Sequence, residues 1–473
     1  MPEPRINKLI AWLVLAVVAF APLPFGSEPR WAWSLIAVAT GLGLIGWSGC
    51  AIVGRRRVPL PRDIRRLAPV GILFAIVLLW IAVQASPWSP AALHAPVWTA
   101  AESLLNRRLA GAISINPTET IGGLVRLASY GGVFFLTALV AASADRALWL
   151  LRGIVAIGVV YAGYGLVNEL LGLNRVLWLT KWRDLGDVSS TLLDRNAYAT
   201  YAGLGLTGAL ALLFRPKFRD GDLDGGWRSS IRVCADYFFT RSWPSMAAVA
   251  ILFAAVVLTH SRSGAAAAML SVAVFVLFAT RRWRNRKPAY FVGLAICLAG
   301  GVILAIGGAG TAERMGRVGA AAAERGEIYH LTAREVVRAP LPGTGHRTFA
   351  EAFTAQRSEA LQAPFLHGHN MYLETALELG VAGAAALFAV VAWLALLCLR
   401  ASGRLGRNAT LPCLGLAATA LVASHSLTDS TLRIPAVAIL FAALMGIACA
   451  RGKTPSSTAV APQRDVRNGI QPG

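Results

Sequence analysis

Twelve stretches of predominantly apolar residues follow one another along the chain, near 9–25, 33–53, 67–85, 121–143, 147–171, 196–214, 244–260, 264–280, 289–307, 381–399, 409–426 and 433–450. A helix rises about 1.5 Å per residue, so roughly 20 such residues cross a hydrocarbon layer about 30 Å thick. The expected fold is an all-α polytopic integral membrane protein of about 12 transmembrane helices. Composition agrees: 56% of residues are hydrophobic and 15% charged, against about 25% charged in a soluble domain.

The net charge of +21 does not call for nucleic acid, because most Lys and Arg stand in short runs between apolar stretches rather than on one surface. Such runs report orientation. With the N-terminus inside, the loops holding Arg55, Arg56, Arg57, Arg62, Arg65 and Arg66, then Arg281, Arg282, Arg284, Arg286 and Lys287, then Arg400, Arg404 and Arg407, are all cytoplasmic. The tail with Arg451, Lys453, Arg464 and Arg467 joins them, so both termini are cytoplasmic and the number of spans is even. The first span ends on Ala19-Phe20-Ala21, which looks like a signal-peptide cleavage site, but Pro22 follows directly and the span reads as retained.

This topology leaves three long segments outside, near 86–120, 172–195 and 308–380. The last has helical patterning and reads as a periplasmic helical cap between spans 9 and 10, hinged at Gly307-Gly308-Ala309-Gly310. The chain thus divides into residues 1–307 with nine spans, 308–380 as the outer helical loop, 381–450 with three spans, and a disordered tail, 451–473. Cys50, Cys297, Cys398, Cys413 and Cys449 fall in spans or at their ends and Cys234 in an inner loop, so no disulfide framework is expected outside. His94, His260, His330, His346, His367, His369 and His425 all map to the outer loops or outer helix ends. Titratable chemistry gathers on one face.

The densest polar motif there is Leu366-His367-Gly368-His369-Asn370-Met371-Tyr372-Leu373-Glu374, running through Glu378-Leu379-Gly380 into an apolar helix. A neutral imidazole placed where a polar loop enters the membrane can accept the proton of an attacking hydroxyl. This stretch resembles the O-antigen ligase and Wzy-type polymerase family of bacterial surface-glycan enzymes, whose signature is His-Asn-x-Tyr-Leu-Glu followed by Glu-Leu-Gly. Three further segments look like the same family: Arg325-Gly326-Glu327-Ile328-Tyr329 with Ala339-Pro340-Leu341-Pro342-Gly343-Thr344-Gly345 and Phe349; Ser261-Arg262-Ser263-Gly264; and Asp194-Arg195-Asn196-Ala197-Tyr198-Ala199, where Asp194 replaces the family's first Asn. The resemblance covers most of residues 110 to 450.

The resemblance implies a glycosyltransferase of the bacterial inner membrane, working on its periplasmic face without a nucleotide sugar; direct displacement at the anomeric carbon would make it inverting, and neither a metal nor a cofactor is expected. Its donor would be an undecaprenyl-diphosphate-linked glycan. Its acceptor would be lipid A-core for a ligase of lipopolysaccharide biosynthesis, a growing glycan for a Wzy-type polymerase, or a protein for an O-oligosaccharyltransferase; ligase-like transfer leads. His369 would be the base, and Arg262 and Arg325 would hold the donor diphosphate, as a planar guanidinium suits phosphate. His367, Asn370, Tyr372, Asn196 and Arg126 are possible supporting residues.

Each assignment has a plainer rival. Arg262 at a helix end can snorkel, as can Arg126 a few residues inside a span. His369 can cap a helix, His260 and His425 can hydrogen-bond locally, and Glu374 and Glu378, four apart on one face, are expected to pair with arginines of the outer helical loop. Asp220-Gly221-Asp222-Leu223-Asp224-Gly225 imitates the start of a calcium loop, but Ile231 stands where that loop needs Glu, and no metal is expected. A lipid or glycan transporter calls for charged or broken helices in two related halves, and the sequence shows no internal repeat. A scaffold for envelope assembly would need no His-Asn motif beside arginines.

Overall fold

A computed structural model describes residues 5–53, 65–214, 242–281, 312–355, 365–404 and 409–450. The expected span 289–307, the hinge at 307–310, the acidic segment 220–225 and the tail lie outside these residues. Among the described residues the chain is almost wholly helical: α1 (Arg5–Phe20), α2 (Arg30–Val53), α3 (Ala68–Ala85), α4 (Pro96–Leu105), α5 (Pro117–Val140), α6 (Ala144–Leu170), α7 (Arg195–Leu213), α8 (Trp243–Leu258), α9 (Arg262–Thr280), α10 (Ala312–Arg338), α11 (Phe349–Thr354), α12 (Met371–Arg404), α13 (Thr410–His425) and α14 (Pro435–Cys449). One two-stranded antiparallel hairpin, β1 (Arg175–Val176) with β2 (Leu179–Thr180), sits in the loop after α6.

The helix starts follow local chemistry. Proline opens α3, α4, α5, α8 and α14 within the first two positions, where no intrahelical N–H bond is lost. Asn116, Ser143, Asp194 and Ser261 accept backbone N–H bonds at the starts of α5, α6, α7 and α9.

Six described helices, α2, α3, α5, α6, α9 and α12, are long and apolar enough to cross a membrane, and α1, α8, α13 and α14 are shorter apolar helices. Leu35, Val38, Leu42 and Ile45 on α2, and Ile72, Ile76 and Leu79 on α3, are exposed at helical spacing. Apolar faces of that length are stable against lipid and not against water, so the protein is membrane-embedded. In contrast α7 is buried nearly all round and packs against α6, α8, α9, α13 and α14. A helix rich in Ala and Gly fits there because small residues let neighbouring backbones approach.

The outer segments named from sequence meet at one end of the bundle. Ile115 N–H donates to the Thr344 carbonyl at 3.0 Å, Asn116 Nδ2 to Glu351 Oε1 at 2.9 Å, and Val188 N–H to the Leu258 carbonyl at 2.9 Å. Ile328, Leu331, Phe349, Phe353 and Leu377 form a small apolar cluster beneath α10 and α11.

At this end α12 starts at Met371, ten residues before the apolar window at 381, and is broken at Gly380 (φ 72°, ψ 164°). That conformation is nearly restricted to glycine, and a Cβ there would run into the Leu341 carbonyl. The break frees carbonyls for other partners: Leu379 accepts from Trp80 Nε1 at 2.8 Å, and Glu378 from Gln84 Nε2 at 2.8 Å and from Gly345 N–H at 3.0 Å. Val381 N–H donates to the Pro340 carbonyl at 2.7 Å. The Pro340–Gly345 and Glu378–Gly380 motifs are therefore two halves of one joint. Gly380→Ala should lower stability by roughly 1–3 kcal/mol from backbone strain alone; an unchanged thermal unfolding midpoint in detergent would contradict this account of the break.

Candidate functional site

The His-Asn motif is held by its neighbours in space. Asn370 Oδ1 accepts the N–H groups of Tyr372 and Leu373, each at 3.1 Å, which makes it the N-cap of α12. Its Nδ2 donates to the Leu427 carbonyl at 3.2 Å, Met371 N–H to the Ser426 carbonyl at 3.0 Å, and Tyr372 Oη to the Ala423 carbonyl at 2.8 Å. Asn370 and Tyr372 thus clamp the start of α12 to the end of α13. His369, just before them, has φ 50° and its carbonyl accepts a 2.7 Å bond from Tyr329 Oη of α10. A non-glycine residue in the left-handed region is uncommon and signals a constrained position.

The His369 imidazole is partly exposed, and its Nδ1 lies 3.4 Å from Asp429 Oδ1 in the turn between α13 and α14. Asp429 Oδ2 accepts from Asn196 Nδ2 at 2.6 Å, and Asn196 Oδ1 accepts from Ser261 Oγ at 2.7 Å. Three motifs far apart in sequence therefore meet through one carboxylate. Gly264 completes the junction: a Cβ there would lie 2.5 Å from that of Ala199, so only glycine lets α9 approach α7 this closely.

Electrostatics at this junction are specific. The Asp429 carboxylate raises the pKa of His369 above its ordinary value, against burial and the opposing charge of Arg325. Burial works to raise the Asp429 carboxyl, but His369, His425 and the Ser430 N–H hold it down at about 2. Burial and the nearby Asp429 push the Asp194 carboxyl up. Arg325 stands one turn before Tyr329 on α10, half-buried, and its charge reaches His369. Arg262 is exposed at the start of α9, beside Ser261, and has no ion pair among the described residues.

Other residues named from sequence fall elsewhere. His367 has a different carboxylate neighbour from His369, with Nδ1 3.8 Å from Glu374 Oε1. His260 bonds Asp187 Oδ1 through Nδ1 at 2.7 Å, and His425 Nδ1 lies 2.7 Å from Thr200 Oγ1. Arg126 does not snorkel: it is buried, with its guanidinium 4.5 Å over the Trp33 ring. Glu374 and Glu378 are ion-paired as expected, but the arginine they share is Arg433, from the turn before α14 rather than from the outer helical loop, which supplies His346, its Nδ1 3.2 Å from Glu378 Oε2. Glu378 also accepts the Phe349 N–H at 3.1 Å, and Glu374 the Gly368 N–H at 3.2 Å.

Sequence reasoning missed Asp429 and Arg433. They are the sole acid and the sole Lys or Arg in residues 409–450, four apart in a short turn between two apolar helices. An ionisable pair in such surroundings is itself a functional signal.

Residues 247–388 match the family model described as O-antigen ligase. The match takes in Arg262, Arg325 and the His369 motif, and bears out the resemblance read from the sequence. No curated protein matches the chain.

Proposed function

We propose that this member of the O-antigen ligase family transfers a glycan from an undecaprenyl-diphosphate donor to lipid A-core on the periplasmic face of a bacterial inner membrane. The observation that carries the reading is His369 against Asp429, with the charge of Arg325 reaching His369 and Arg262 next in sequence to Ser261 of the same hydrogen-bonded junction. In this mechanism His369 Nε2 takes the proton of the acceptor hydroxyl as that oxygen bonds to the anomeric carbon of the donor sugar. The bond from that carbon to the diphosphate oxygen breaks, and the diphosphate leaves with the bonding pair. Attack opposite the leaving group inverts the anomeric configuration. Arg262 and Arg325 hold the diphosphate and stabilise the charge that develops on it. Asp429 is a positioning residue: it orients the imidazole and stabilises the imidazolium, as a carboxylate behind a catalytic histidine does.

The test is transfer by purified protein from a synthetic undecaprenyl-diphosphate glycan to lipid A-core, with and without chelator. Chelator-resistant transfer is expected. Product found only as longer lipid-linked glycan would replace the ligase reading by polymerase, and no turnover with any acceptor would overturn the enzyme reading.

The Asp429–His369 pairing also fixes a pH dependence. The base works as neutral imidazole, and Asp429 raises its pKa above the ordinary 6.5, so activity should rise with pH through a limb above pH 6.5. Asp429→Asn removes the carboxylate, and the limb should move to lower pH while the plateau rate falls. A pH–rate profile that keeps its limb in the variant would sever Asp429 from His369. The sign for stability is opposite: the protonated pair stabilises the fold below pH 6.5, and its contribution is lost as pH rises through the raised pKa.

A further inference from the structure

A cavity of about 820 Å³ lies between α3, α5, α12 and α14; Met371 at the start of α12 lines it, and neither His369 nor Asp429 does. Along α5 it runs from Gly123 to Phe135, about 18 Å of helix, and most of its wall is apolar, with Phe74, Leu387, Leu394 and Phe441 among its residues. Most of its polar groups, Arg126, Tyr130, His346, Arg347 and Arg433, line it where the outer loops meet, and Arg65 lines it beside the start of α3. A long apolar channel with a cluster of cations toward one end suits an amphiphile.

The cations there are only partly balanced: Glu28 and Glu119 act on Arg126, and Glu28 and Glu378 on Arg347, from beyond ion-pair distance. Arg433 is neutralised by Glu374 and Glu378. Neither Arg126 nor Arg347 pairs with a carboxylate among the described residues; Arg347 Nη1 reaches the Arg433 carbonyl at 3.2 Å, and Arg126 rests on Trp33. Arg126 Nε and Tyr130 Oη are buried without a hydrogen-bond partner among the described residues. Burial, with Arg433 and Arg126 beside it, pushes the Arg347 guanidinium down to about 10. Buried donors of one sign facing an apolar channel need an anion with a hydrocarbon tail.

We infer that the cavity is a lipid-phosphate site separate from the His369 centre, with the phosphate bound by Arg126, Tyr130 and Arg347 and the chain lying along α5 and α12. A polyprenyl phosphate and an anionic glycerophospholipid both carry this chemistry. Arg433 and Asp429 share one turn, so occupancy of the cavity bears on the same backbone that positions His369.

The experiment uses the full-length protein, delipidated and returned to phosphatidylcholine nanodiscs containing a phosphatidic acid with a photoactivatable acyl chain. Cross-links are expected on the cavity faces of α5, α12 and α14, and Arg126→Gln with Arg347→Gln should reduce them by roughly tenfold or more, the loss expected for charge-assisted bonds to phosphate. Val391→Trp keeps the arginines, fills the apolar half and should reduce them as well. Displacement by undecaprenyl phosphate would identify a prenyl lipid, and displacement by phosphatidylglycerol a phospholipid. Labelling confined to the outer faces of α2 and α3, or unmoved by either variant and either competitor, would overturn the site. Labelling needs no turnover and should be unchanged in His369→Ala, so this test and the transfer assay fail independently.

Discussion

His369→Ala should reduce glycan transfer by about 10²–10⁴-fold, the range lost when a general base is removed. The loss should fall on kcat, because the groups assigned to the donor, Arg262 and Arg325, stay in place. His369→Gln provides the control for shape: it keeps a polar side chain before the Asn370 cap but cannot accept the proton. His367→Ala should have a far smaller effect, since that ring faces Glu374 and not Asp429. Steady-state transfer with saturating donor, measured beside a donor-binding assay, separates the outcomes. Equal activity of the alanine variant and the parent would remove His369 from the chemistry, and equal losses at His367 and His369 would mean that the loop, not the imidazole, had been damaged.

The membrane helices were legible because lipid imposes a length and a composition on each, and both are local properties of the chain. The caps are equally local, though none of them was read from the sequence: Asn370 before Tyr372 and Leu373, and Ser261 before Gly264, bond within three residues. What local reasoning could not supply was partnership across the fold. His369 and Asp429 stand sixty positions apart, and no spacing rule joins them. Hydropathy placed the beginning of the tenth span at 381, but Glu374 and Glu378 sit buried in helix above it because Arg433 neutralises them, a fact carried by another part of the chain. Arg126 misled for the opposite reason. A cation inside an apolar window snorkels by default, and only the fold reveals that it faces an internal cavity.

Arg433→Met should destabilise the protein by roughly 3–5 kcal/mol, the cost of breaking a buried ion pair by removing one partner. Its side chain is 6% exposed and those of Glu374 and Glu378 are 0% and 1%, so the carboxylates have little access to water of their own. The carboxylates are also structural acceptors: Glu374 takes the Gly368 N–H and the Ser430 hydroxyl, and Glu378 the Phe349 N–H. Leaving them charged and unpaired therefore strains the backbone one residue before His369 as well as the core. Arg433→Met combined with Glu374→Gln and Glu378→Gln removes the charges and keeps an acceptor oxygen at each site. That triple variant should recover most of the lost stability, since replacing all members of a buried charge cluster together is far less costly than orphaning two of them. Denaturant unfolding in detergent reads both variants, and a single variant as stable as the parent would show that the cluster bears no weight. If the triple variant regains stability but not transfer, Arg433 matters to the turn that carries Asp429, and not only to the fold.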